Sequence, residues 1–254
     1  MLNLLLTRHG NAASPDVMLG GRLDVPLTEK GRLEAEALAA RLAGVRIDRI
    51  IASPMLRALE TAQPIARGRP VEIDERLREQ DYGTWEGMTH GEIAARDPEL
   101  RSRWEADPAT TRAPGGECGN DVAGRVLSFL ADLLAAELGA GAAAGGVAAL
   151  GGVAAAGRHH FMPDPGGSRG PVSEPQAEAE GERRVLVVGH GTLDRILIAV
   201  GLGSPIRDYR RRFIVDRAAL TVLRYERGDG PDGAQLVLAN DVSHLRSPGE
   251  APWG

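Results

Sequence analysis

Residues 3–10, Asn-Leu-Leu-Leu-Thr-Arg-His-Gly, and residues 185–191, Val-Leu-Val-Val-Gly-His-Gly, decide the fold of this chain. Each is a short apolar run, Asn3 to Thr7 and Val185 to Val188, that stops at a histidine beside glycine. Unbroken runs of this length read as strands buried on both faces, and strands of that kind belong to parallel sheets covered by helices.

Between the two runs, strand and helix signals alternate. Thr28 offers an acceptor side chain that opens a helix running to about Leu42, with Leu33, Ala37, Leu38 and Leu42 as its apolar stripe. Ile47 to Ala52 reads as a second strand, Ser53-Pro54 starts a helix over Met55 to Ala66, and Val71 to Ile73 is a third strand. Further helices are expected over Leu100 to Trp104, Val122 to Leu138 and Thr192 to Val200, and a closing hairpin over Leu220 to Tyr225 and Gln235 to Leu238. This order predicts an α/β fold, a three-layer α/β/α sandwich around a mostly parallel sheet. A single domain over residues 1–254 is expected, interrupted at 139–184 by a Gly-, Ala- and Pro-rich insertion that lacks the spaced large apolar residues of a core.

Composition narrows the function. A net charge of −5 gives no general attraction to nucleic acid or to an anionic membrane, so an anionic ligand needs a local basic pocket. With Cys118 as its only cysteine the chain can form no intrachain disulfide, no Cys-based zinc site and no Cys-pair redox site. The apolar opening Leu2 to Leu6 is far shorter than a secretion signal, and no run is long enough for a membrane span. The expectation is a cytoplasmic protein, with a homodimer left open.

Parallel neighbours would bring His9 and His190 to one sheet edge, outside the carboxyl ends of the strands, where ligands bind in such folds. Gly10 and Gly191 would let backbone approach a ligand closely and leave N–H groups facing an anion. The end of the second strand adds Ser53-Pro54-Met55-Leu56-Arg57, its arginine one turn into the next helix. Arg8, Arg57, His9 and His190 then suit a phosphoryl group, since guanidinium forks bind its oxygens in pairs and a helix start adds donors. An imidazole can take the phosphoryl group, but the leaving alkoxide still needs a proton. Glu79, followed by Tyr82-Gly83-Thr84-Trp85-Glu86-Gly87, is the carboxyl candidate.

The blocks Arg8-His9-Gly10, Asp24-Val25-Pro26-Leu27-Thr28 with Gly31, Ser53-Pro54 with Arg57 and Glu60-Thr61-Ala62, Glu79 with Tyr82-Gly83 and Trp85-Glu86-Gly87, and Gly189-His190-Gly191 resemble the histidine phosphatase superfamily, also called phosphoglycerate-mutase-like. Asn240-Asp241 with Ser243-His244-Leu245 resembles the family's ending. The resemblance implies that His9 is phosphorylated, that Arg8, Arg57 and His190 bind the phosphoryl group, that Glu79 is proton donor and later base, and that no metal or other cofactor takes part. Many relatives carry an Asn shortly after the Arg-His-Gly turn. Here that stretch is Ala13-Ser14-Pro15-Asp16, and Asn11 is the candidate replacement. The Trp85-Glu86-Gly87 loop resembles the phosphatase branch, which includes α-ribazole phosphatases and broad-specificity enzymes. It implies hydrolysis of a small phosphomonoester, with bisphosphoglycerate-dependent mutase transfer as the alternative.

Blander readings stand beside these. Arg57 and Glu60 could form only a surface ion pair, and Ser53 could simply cap its helix. Glu117, after Gly115-Gly116, could reach the substrate's non-phosphate end or sit in a turn. Trp85 and Trp104 read as packing, and Tyr209 with Arg207, Arg210, Arg211 and Arg212 reads as a solvated face. His159-His160 lacks the spacing of a metal site, and the glycines from Gly139 follow a helix, which argues against a dinucleotide-binding turn.

Overall fold

In a computed structural model the described residues are 1–12, 17, 18, 20, 21, 23–139 and 181–246. Most of the expected insertion, His159-His160 and Ala13 to Asp16 lie outside them. The opening run forms β1 (Leu2–Arg8), followed by α1 (Glu29–Arg41), β2 (Arg49–Ala52), α2 (Leu56–Ala66) and β3 (Glu72–Ile73). Helices α3 (His90–Arg96), α4 (Pro98–Ala106) and α5 (Gly119–Leu138) come next, then β4 (Arg183–Gly189) and α6 (Gly191–Gly201). The short α7 (Tyr209–Arg212) leads into the hairpin β5 (Leu220–Tyr225) and β6 (Gln235–Asp241).

The strands form one sheet in the order β3-β2-β4-β1-β5-β6. β1 to β4 run parallel, while β5 pairs antiparallel with β1 and with β6, so the sheet is mostly parallel, as expected. Side chains alternate across it. Leu4 and Leu6 of β1 join Val185 and Val187 of β4 in a core with α5 and α6, whereas Leu5, Leu186 and Val188 face α1 and α2. Complete burial of such side chains stabilises by roughly 1.5–3 kcal/mol each, which commits each strand to one facing.

The α1 stripe differs from expectation: Leu33 is 61% exposed, and the buried face is Gly31, Ala35, Leu38 and Ala39. Leu33 sits two residues from Gly31, some 200° round the helix, and Gly31 is fixed against the chain after β1. Tyr209 also departs from its solvated reading, because α7 turns it inward to 1% exposure, beside Gly119 at the start of α5. Arg210 lies over the Trp104 ring at 4.1 Å. Trp85 and Trp104 are packing residues, edge to face at 5.8 Å and both buried. Helix α3 was unanticipated, although Thr89 and Glu92 form a capping box that marks its start.

Gly31 and Gly124 are both helical, and their surroundings set opposite outcomes for a methyl group. A Cβ on Gly31 would lie 2.0 Å from the Asn11 carbonyl oxygen, whereas one on Gly124 meets nothing within 4 Å. Gly31→Ala is expected to destabilise by about 1–3 kcal/mol through overpacking, and Gly124→Ala to stabilise by about 0.5–1 kcal/mol through helix propensity. Urea denaturation of the two variants checks this, and two stabilising results would refute the backbone contact.

Candidate active site

Parallel pairing places Arg8 opposite Gly189, and the His9 amide donates to the Gly189 carbonyl at 3.1 Å. The residues that follow the two strands therefore emerge side by side at one sheet edge. The His9 and His190 rings lie 5.2 Å apart at an interplanar angle of 61°. Both are buried.

His9 Nδ1 sits 2.7 Å from the Gly10 carbonyl oxygen. A carbonyl only accepts, so Nδ1 carries the proton and the lone pair of the neutral ring is on Nε2. Burial, aided by the charges of Arg8 and Arg57, holds the His9 pKa well below the usual histidine range. Burial and the neighbouring guanidinium charges thus favour the neutral ring. Burial, together with Arg57, lowers His190 in the same direction. His190 Nε2 meets Ser53 Oγ at 2.7 Å, and its Nδ1 is buried without a partner. Ser53 Oγ also accepts from the Met55 amide at 3.3 Å, so it both serves the α2 start and orients His190.

Arg57 is completely buried and forms no surface pair with Glu60. It donates to the Leu23 and Gly20 carbonyls at 2.8 and 3.1 Å, while Glu60 accepts from the Leu27 amide. Arg8 donates through Nη1 to the Val215 carbonyl at 3.0 Å, and its guanidinium lies so close to Gly191 that a Cβ there would be 3.1 Å from Cζ. The Nε atoms of both arginines are buried without partners. Two desolvated cations with unmet donors beside two imidazoles form a site suited to an anion with several oxygens.

Glu79 is 7% exposed, and its carboxylate accepts from the amides of Gln80, Thr192 and Leu193 at 2.8, 3.0 and 3.2 Å. Two of those donors belong to the first turn of α6, where orphan amides favour an acidic partner. The helix that follows His190 therefore also fixes Glu79. Tyr82 closes over this turn, its hydroxyl 2.7 Å from Thr192 Oγ1.

Other expected members are placed differently. The Gly10 amide does not face an anion, because it donates to Thr61 Oγ1 at 3.1 Å. Asn11 latches α1: its Oδ1 accepts from Thr28 Oγ1 at 2.8 Å and its amide donates to Glu34. Glu117 is tied to Arg125 and to the Asp81 amide, holding the loop before Trp85 in place. Arg217, one of several clustered charges in the sequence, is brought beside β1 by a backbone bridge to Arg8. Among the described residues no group of three or more His, Cys, Asp or Glu side chains could hold a metal ion.

The family profile described as the histidine phosphatase superfamily (branch 1) matches residues 4–148 and 171–241. Glucosyl-3-phosphoglycerate phosphatase of Mycolicibacterium vanbaalenii is 39% identical over 238 residues, covering 91% of this chain and 88% of that protein. The structure of YhfR from Bacillus stearothermophilus superposes with a TM-score of 0.73 at 29% identity, over 97% of this chain and all of that one. A native mycobacterial glucosyl-3-phosphoglycerate phosphatase superposes with a TM-score of 0.70 at 30% identity, over 94% and 98% of the two chains.

One further buried group adjoins the site. Asp194, in the first turn of α6, is 1% exposed, neither carboxyl oxygen has a partner, and Oδ1 fills the space a side chain at Gly189 would need. Burial, with the nearby Glu79 charge, raises its pKa well above the usual aspartate range. The folded protein therefore keeps a proton that the unfolded chain releases above about pH 3.9, and stability from this residue declines as pH rises through that window. Asp194→Asn is expected to be more stable than wild type at pH 7, with the gain shrinking towards pH 4. Urea midpoints between pH 4 and 8 measure it; a loss at pH 7 would show an ionised, compensated carboxylate instead.

Proposed function

The chain belongs to the histidine phosphatase superfamily, and on that premise we propose that it hydrolyses a small phosphomonoester by passing the phosphoryl group through His9. In the first step His9 Nε2 bonds to phosphorus as the bond to the substrate oxygen breaks, and Glu79, which enters the cycle in its protonated form, gives that oxygen its proton and becomes the carboxylate. In the second step Glu79 takes a proton from water, whose oxygen attacks phosphorus. The phosphorus–nitrogen bond then breaks, freeing phosphate and restoring His9.

The single observation that carries this reading is the placement of His9: buried, its Nδ1 2.7 Å from the Gly10 carbonyl and its ring 5.2 Å from that of His190, with Arg8 and Arg57 near enough to help lower its pKa. Arg8 and Arg57 bind the phosphoryl oxygens through the donors they hold in reserve, and His190, oriented by Ser53, supplies another contact. Such donors are fixed before the substrate arrives, so little reorganisation is needed as charge shifts in the transition state. Gly191, which leaves room for the Arg8 guanidinium, completes the binding side of the site, while Asn11 holds the turn after His9 against α1. Relatives named as glucosyl-3-phosphoglycerate phosphatases favour hydrolysis over mutase transfer and point to a phosphorylated short-chain acid or its sugar conjugate as substrate. The lone, buried Cys118 suits a reducing, cytoplasmic setting.

In EDTA, wild type is expected to turn over p-nitrophenyl phosphate and His9→Ala to lose that activity; turnover that persists in the variant, or that needs added Mg²⁺, would overturn the mechanism. Glu79→Gln should slow alkyl phosphates by about 10²–10⁴-fold and p-nitrophenyl phosphate far less, because nitrophenolate leaves without a proton. Equal losses on both would remove Glu79 from the proton-transfer role.

A further inference from the structure

Asp194 is an acid that the phosphoryl-transfer steps leave unused. Its amide donates to the His190 carbonyl at 2.9 Å, and its carboxyl occupies the room that Gly189 leaves by having no side chain. Gly189 and Arg8 are register partners in β4 and β1. Leu4 and Leu6 of β1 and Val185 and Val187 of β4 face α5 and α6, so alternation puts Arg8 and the space over Gly189 on that same side. Neither oxygen of Asp194 has a partner, and neither has the Nε of Arg8.

The second acid of this volume is Glu79. It accepts from the amides of Thr192 and Leu193, the two residues immediately before Asp194, so one helical turn carries both carboxyls. Burial favours the protonated form of Asp194, and the charge of Glu79 adds to that effect. Cations reach the pair from several elements. Arg8 of β1, Arg57 of α2 and Arg195 of α6 each interact with the charge of Glu79, and Arg8 and Arg195 also act on Asp194. Burial keeps Tyr82 and Tyr209 protonated, with Arg210 of α7 beside them, and Arg125 of α5 is among the cations that act on His190. With both imidazoles driven towards neutrality and both phenols protonated, the two carboxyls are the neighbours left to exchange a proton.

The chemistry sets a demand for that exchange. The first step needs Glu79 as an acid, although three amides favour its carboxylate form. Neighbouring carboxyls of like charge do not both ionise readily, so such a pair retains one proton after the first has left.

We propose that Glu79 and Asp194 share one proton, and that Asp194 is a positioning residue that keeps this proton available to Glu79 at neutral and mildly alkaline pH. With the proton on Glu79, Asp194 is the carboxylate and is compensated by Arg8 and Arg195. With the proton on Asp194, Glu79 is the carboxylate held by its amides. Each turnover restores the pair, because Glu79 gives one proton to the leaving oxygen and takes one from water. This rests on the phosphatase reading and adds to it a residue that acts through Glu79.

The pH dependence of kcat/KM on glycerol 3-phosphate and on p-nitrophenyl phosphate tests it in wild type, Asp194→Asn, Glu79→Gln and the double variant, each after a thermal melt that establishes folding. Asp194→Asn removes the second carboxyl, so the alkaline limb for glycerol 3-phosphate should move down by about one pH unit or more, a loss of about 10-fold on that limb. The limb for p-nitrophenyl phosphate should move far less, since its leaving group needs no proton. In the Glu79→Gln background, Asp194→Asn should leave the limb where it is, because no acid remains for it to act through. Coincident limbs in wild type and Asp194→Asn, equal losses on both substrates at every pH, or an undiminished displacement in the Glu79→Gln background would overturn the proposal while leaving the phosphatase reading intact. If wild type hydrolysed neither substrate, the phosphatase reading would fall and this proposal with it.

Discussion

The parallel register between β1 and β4 is the constraint on which the rest depends. It sets Arg8 beside Gly189, and the turns that follow carry the two imidazoles to within 5.2 Å. A slip of one residue in β1 would reverse the facing of every side chain in the strand. Leu4 and Leu6 would leave the core of α5 and α6, and His9 would lose its alignment with His190. Hydrophobic burial along the strand thus holds the geometry of the two histidines at its end, because the packed alternation of β1 permits one register.

Around that register the protein accepts an electrostatic cost. Arg57 is wholly buried and both arginines keep an unpartnered Nε, while both imidazoles are held neutral. Buried polar groups without partners are unfavourable, and a bound oxyanion satisfies several at once. The neutral histidines avoid two further charges in this volume, and Glu79, held by backbone amides, acts electrostatically on both arginines.

Much of this was legible in the sequence because strands and turns are local. The two apolar runs ending in histidine, the Thr28 cap and the placement of Arg57 one turn past a strand end can each be read from spacing. What was not legible arises from packing between distant segments. Leu33 has the right period for a buried face, but contact of Gly31 with Asn11 rotates α1 and exposes it. The Gly10 amide looked available for an anion, yet Thr61, fifty-one positions on, claims it. Tyr209 lies among arginines that mask its inward facing, and Arg217 gains its place only when β5 folds back along β1. Asp194 did leave a sign, a lone acid in the apolar helix after His190, whose reading needed the depth of the helix in the core.

The end of α5 has a different kind of consequence. Glu137 ties that end to Arg49 and Arg183, at the beginnings of β2 and β4, so the chain departs and returns at the sheet edge opposite the histidines. The seven residues of β4 separate that junction from His190 by a strand length, roughly 20 Å. The fold thus has a working end and a service end. The Glu137 pairs and the paired histidines sit at opposite ends of the same strands, so the electrostatics of one end can be altered without touching the contacts of the other.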